Sequence, residues 1–174
     1  MRRRRQRRSK RNEMSINKTR QTIDHKKHDK EAEEFIIRSV KDFGWSIQFF
    51  EEENELPSFA YTIGLFEKYK HPEIIAFGLP VNTLIQILNI AGELVKGGKK
   101  LKPGKQYEEF LEGFNSTFLA VDKKEFGNYF GYAMWFYDYK EFDAIQYIWP
   151  DNSGKYPWQD SFEEIILNKQ PLLG

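Results

Sequence analysis

The sequence predicts an α+β fold. It reads as a curved, mostly antiparallel sheet of about six strands, up to a partial barrel in form, with roughly two to four helices packed on it. Three observations predict this. Aromatic residues make up 16% of the chain and none precedes Phe35, so core-forming material begins there. Segments of two-residue alternation and of helical periodicity follow one another in short runs. Successive strand-like segments are joined by short connections, which favour antiparallel neighbours.

The elements follow in order. A helix begins near Asp29, capped by Asp29 or Asp24, with Glu31, Glu33 and Glu34 where the helix dipole favours acids. Phe35, Ile36, Ser39, Val40 and Phe43 share a face, and Gly44 stops the helix. Trp45 to Phe49 alternates as a strand, the acidic run "EEENELP" turns, and Phe59, Tyr61, Ile63 and Leu65 alternate as the second strand of a hairpin. His71-Pro72-Glu73 bends the chain into a short, nearly all-apolar third strand, Glu73 to Phe77. Pro80 opens a helix whose stripe is Leu84, Ile87, Leu88, Ala91, Leu94 and Val95, ended by Gly97-Gly98. Gln106 to Leu111 and Ser116 to Val121 read as two more strands across Gly113. In Lys123 to Tyr139 the spacing of Tyr129, Phe130, Ala133, Met134 and Tyr137 is helical, while Gly127 and Gly131 oppose a helix. Asp143 to Trp149 is a last strand, "WPDNSGKYPW" a loop, and Ser161 to Leu167 a short helix. Helices are expected on one face of the sheet.

Charge divides the chain into a basic disordered arm, 1–28, and a single α+β domain, 29–174. Residues 1–28 carry 12 Lys/Arg against two acids, a surplus of ten, whereas the remainder carries 15 basic and 24 acidic residues. The arm includes Arg2, Arg3, Arg4, Arg5, Arg7, Arg8, Lys10 and Arg11. It repels itself and has almost no apolar residue, and it should bind polyanions such as nucleic acid in a way that salt weakens steeply. Lacking aromatics, it has nothing on which to stack bases. Its bland readings are a solubility tail, an arm resting on its own acidic domain, or an extension upstream of a start at Met14. The chain has no cysteine, which removes disulfides, thiolate nucleophiles and cysteine-ligated metals. No apolar run spans a membrane or follows the basic start as a signal would, so a cytoplasmic location is expected.

Three segments together carry a resemblance: "PSFAYTIGLFEKYKHPEIIAFGLP" (57–80), "YFGYAMWFYDY" (129–139) and "IQYIWPDNSGKYPW" (145–158). In this order they resemble the bacterial family called domain of unknown function 4262, over roughly residues 35–160. The resemblance implies that the Tyr61-Thr62-Ile63-Gly64 strand, the His71-Pro72-Glu73 turn and the Trp149-Pro150-Asp151 loop belong to one shared feature. It implies no activity.

The residues themselves leave two roles open. One is a binding domain holding a small molecule or a partner peptide in an aromatic-walled groove of Tyr61, Thr62, Trp149, Tyr156 and Trp158. The other is a small enzyme in the same groove, with His71 as general acid/base and Glu73 or Asp151 to orient it. Against both stand plain structural roles: a histidine before proline is a good turn residue, and an aromatic loop often packs onto its own domain. "WPD" suggests the acid loop of tyrosine phosphatases, but that chemistry needs a cysteine nucleophile. His25 and His28 are too few for zinc, and no phosphate-binding glycine loop or nucleophile elbow is present, so no metal or cofactor is named.

Overall fold

The structure, a computed structural model, describes residues 29–174. The basic arm and its arginines lie outside the described residues. Helix α1 (29–43) ends at Gly44, whose N–H closes the last turn on the Val40 carbonyl at 3.1 Å. Ile36, Ser39 and Val40 are buried as the spacing predicts, whereas Phe35 and Phe43 are exposed, which nothing in the structure explains.

The six strands are β1 (Ser46–Phe50), β2 (Phe59–Ile63), β3 (Glu73–Phe77), β4 (Gln106–Leu111), β5 (Phe114–Ala120) and β6 (Ala144–Ile148). Their order in the sheet is β1-β2-β3-β6-β5-β4. Each trio of sequence neighbours forms an antiparallel meander; short connections join β1 to β2, β2 to β3 and β4 to β5, whereas β5 reaches β6 only through residues 121–143. The two meanders meet at the centre, where β3 and β6 run parallel with Glu73 opposite Ala144. The sheet is therefore mixed and open, with β1 and β4 as its edges. Both central strands are buried at every position, which is why "EIIAF" and "AIQYI" are nearly continuous apolar runs.

Helices cover both faces, not one. On the first face lies α3 (Val81–Lys96), capped by Pro80 and ended at Gly97. It buries Leu84, Ile87, Leu88, Ala91 and Val95 against Trp45, Ile74, Phe118 and Tyr147. Each large aliphatic side chain so buried contributes about 1.5–3 kcal/mol. Gly92 of α3 gives room to the Trp45 indole, since a Cβ there would stand 2.4 Å from it. On the second face, Ile36 and Val40 pack with Tyr61, Phe77, Phe130 and Phe142. The ambiguous segment supplies part of this layer as a 3₁₀ turn (Lys123–Glu125), α4 (Phe126–Tyr129) and α5 (Gly131–Phe136). The helical spacing there was right, and the break at Phe130 marks where the glycines interrupt it.

Two further helices are short. α2 (Leu65–Tyr69) was hidden because Leu65 continues the alternation of β2; the helix begins at Gly64, whose φ of 113° is strained for any other residue. α6 (Glu164–Leu167) lies in the expected region near the C-terminus. Behind it, buried Gln146 ties down the last residues by donating to the Pro171 carbonyl (2.6 Å) and accepting from Leu173 N–H (2.9 Å). Among the described residues, no helix is long and apolar enough to cross a membrane.

Candidate functional site

The antiparallel β2–β3 pair and the turn that leads from β2 into α2 converge on Glu73. Its side chain is fully buried. Oε2 accepts from the Thr62 hydroxyl (2.6 Å), and Oε1 accepts from Gly64 N–H (2.8 Å), Phe66 N–H (3.1 Å) and the Tyr137 hydroxyl. Thr62 Oγ1 in turn accepts from Ile74 N–H at 2.9 Å. Burial pushes the Glu73 carboxyl up from the usual carboxylate range, while the four donors pull it back. Tyr137 is also pushed up, by burial and by facing Glu73. This cluster ties β2, β3, α2 and the end of α5 together without a cation. All four hydrogen bonds to Glu73 come from the protein itself.

His71 sits just before β3 and is 4% exposed. Leu101 N–H donates to its Nε2 at 3.1 Å, so Nε2 carries no proton; Nδ1–H then donates to the Pro72 carbonyl at 2.7 Å. Both ring nitrogens are thus committed to backbone. Burial lowers the His71 pKa, and Lys100 adds to this. An unfolded histidine protonates near ~6.5 and the folded one only in stronger acid, so between those values the unfolded chain binds more protons. Stability should therefore fall as the pH drops below about 6.5. His71→Gln should lose that share of the slope in urea titrations run across this range, and should lose about 1–2 kcal/mol by disturbing the Leu101 bond. An equal slope in both chains would mean that another group is responsible.

The Trp149–Trp158 loop lies at the other end of the β3–β6 pair. Glu73 is opposite Ala144, and Trp149 is five residues further along, a separation of roughly 16 Å at about 3.3 Å per residue. Asp151 is 2% exposed and serves the loop itself. Its Oδ1 accepts from Ser153 N–H (2.8 Å) and Lys155 N–H (3.0 Å), and its Oδ2 from Glu163 N–H (3.3 Å). The Lys155 bond leads in holding its carboxyl below the usual range. Trp149 is core: its Nε1–H donates to the Phe77 carbonyl at 2.8 Å, and its backbone is clamped by the Gln170 amide. Tyr156 is buried and donates to the Asn115 carbonyl at 2.9 Å. Trp158 stacks on Tyr156 and stays half exposed. Tyr61 is fully buried against Phe130, its hydroxyl accepting from Tyr132 N–H.

The structure thus brings Thr62 and Glu73 together, and adds Tyr137, which the sequence offered only as a helix-spacing residue. It does not bring His71 to Asp151, nor Tyr61 to Trp149. Tyr61 and Trp149 belong to separate core clusters. Open space lies elsewhere. A cleft of about 770 Å³ opens at the carboxyl end of β3, between the β1–β2 turn, the start of α3, and α6. Its lining includes Glu51, Glu52 and Glu55 from the turn, Leu79 and Val81 around the start of α3, Ile165 from α6, and Lys169 just beyond it. Gly78 (φ 77°) lets the chain pass the Lys169 carbonyl there, since a Cβ would come within 2.2 Å of it. In the sequence the acidic run Glu51 to Glu55 signals a turn, and nothing in it points to a cleft. Among the described residues, no group of three or more His, Cys, Asp or Glu could hold a metal ion.

An open mixed sheet of two meanders, helices on both faces and a cleft at one end define an α+β domain, with the Glu73 side chain held by four donors within it. The particular family follows from the sequence match: residues 39–163 match the family described as Domain of unknown function (DUF4262), and the chain belongs to it. No curated protein and no solved structure matches the chain.

Proposed function

We propose that the protein is a binding domain that holds a small molecule or a partner peptide in the cleft at the carboxyl end of β3. The observation that carries this reading is the cleft itself, whose volume of about 770 Å³ falls in the range of roughly 300–1,000 Å³ common to ligand sites. Three carboxylates stand on one wall, apolar Leu79, Val81 and Ile165 line the cleft, and Lys169 is the one cation among its lining residues. This chemistry suits a ligand with an apolar body and at least one basic group. The reading keeps the binding role expected from the sequence and moves its place. The enzyme reading, with His71 as acid/base beside Glu73 or Asp151, has less support, because both imidazole nitrogens are bonded to backbone.

The test is thermal unfolding of the full chain with spermidine, phenethylamine and a lysine-rich peptide as probes. A ligand at about 100 times its Kd should stabilise the fold by about 2.7 kcal/mol. The double variant Glu51→Gln/Glu55→Gln, altered only at exposed positions, should bind about tenfold more weakly or less well still. If no probe shifts the transition, or the double variant responds like the parent, the cleft is not this kind of site.

A further inference from the structure

An open sheet has two edges, and here they differ. β4 carries exposed Glu108 and Glu109, and its register on β5 shifts between Tyr107 and Leu111. Charge and irregularity are the usual devices that keep an edge from pairing with another chain. β1 has neither. Ser46-Ile47-Gln48-Phe49-Phe50 holds no charge and no proline, and pairs with β2 residue for residue over its whole length. Its outer side borders no strand among the described residues. Phe49 is 51% exposed and Phe50 37%.

We infer that β1 pairs with the β1 strand of a second copy of this chain, antiparallel about a two-fold axis at Gln48, so that two sheets become one. The strand is complementary to itself in that arrangement. Ile47 meets the second copy's Phe49 twice, on one face, and Ser46 meets its Phe50 twice, on the other. At the axis the two Gln48 carboxamides, each both donor and acceptor, face each other. Charge selects the same arrangement. The acidic run Glu51 to Glu55 directly follows the strand. Antiparallel pairing holds the two runs roughly 20 Å apart, at about 3.3 Å per residue. Parallel pairing would set them side by side.

The absence of cysteine makes the test clean. Across the axis the Gln48 Cα atoms would stand about 4.5–5.5 Å apart, within the ~4.4–6.8 Å that a disulfide spans. The full chain carrying Gln48→Cys should form a disulfide-linked dimer under mild oxidant, at least about tenfold faster than Glu108→Cys on the other edge. Wild-type protein should sediment as a dimer. Phe49→Lys, which puts a charge on an exposed position without touching the core, should weaken that dimer about tenfold or more while leaving the circular dichroism unchanged. A monomeric wild type overturns the pairing, as would a foreign strand being the true occupant of β1. A Gln48→Cys chain no faster than the control, or a Phe49→Lys dimer of unchanged affinity, overturns it as well.

Discussion

Glu73→Ala should lower the folding stability by about 4 kcal/mol, read as a fall in the urea midpoint at constant slope. The substitution leaves four donors facing an apolar methyl: the Thr62 and Tyr137 hydroxyls and the N–H groups of Gly64 and Phe66. A buried donor without a partner costs roughly 1–3 kcal/mol. The full sum is not reached, because two of the donors are rotatable hydroxyls and Gly64 N–H keeps the Tyr137 oxygen at 3.2 Å as a second acceptor. A counter-effect must be weighed: removing a buried charge that lacks a cation can stabilise. It is limited here, since the four donors already stabilise the carboxylate in place of a cation. Glu73→Gln separates the two effects. It keeps one accepting oxygen, and its amide can donate to Thr62, so it should cost only about 1–2 kcal/mol. The pH dependence has the opposite sign to that of His71. A raised carboxyl binds its proton more tightly in the folded chain, so its contribution is present in acid and fades as the pH rises through the folded value. A loss below about 1 kcal/mol for Glu73→Ala would remove this carboxylate from its structural role.

Trp149→Ala should be of similar size, about 3–5 kcal/mol, because it empties a large buried volume and leaves the Phe77 carbonyl without its indole donor. Trp149→Phe should retain most of the packing and lose about 1–2 kcal/mol, the share of that hydrogen bond. The comparison also decides the residue's role. A tryptophan that walls a ligand site would tolerate alanine in stability and show the damage in affinity. Unchanged unfolding of Trp149→Ala would bring back the aromatic groove and displace the cleft.

Much of the fold was legible, and for a common reason. The hairpin of β1 and β2, the strand β3 and the stripe of α3 each repeat a local pattern, apolar at every second residue or at helical spacing, that burial then rewards. The parallel β3–β6 seam was not legible, because nothing local in either strand says which distant strand lies beside it. α2 escaped because five residues give too little periodicity to outweigh the preceding alternation. The site was less legible than the fold. The sequence offered His71, Glu73 and Asp151 as acid/base candidates and Thr62 as a ligand contact, and buried polar residues must find partners. It could not tell that these partners are backbone groups in each case or in part. The cleft escaped for the opposite reason: it is made of exposed turn residues from distant segments, and exposure leaves no pattern.

The seam between β3 and β6 also governs how the chain can assemble. Residues 74–143, seventy in all, lie between Glu73 and its neighbour Ala144. Each three-strand unit closes through contacts nearer in sequence than those of the seam, so the union of the two must wait for the more distant encounter. Loop-closure entropy grows only as the logarithm of length, so this encounter costs stability little and speed more. The middle of the sheet, its most protected region once formed, is thus the part whose partners must travel furthest to meet.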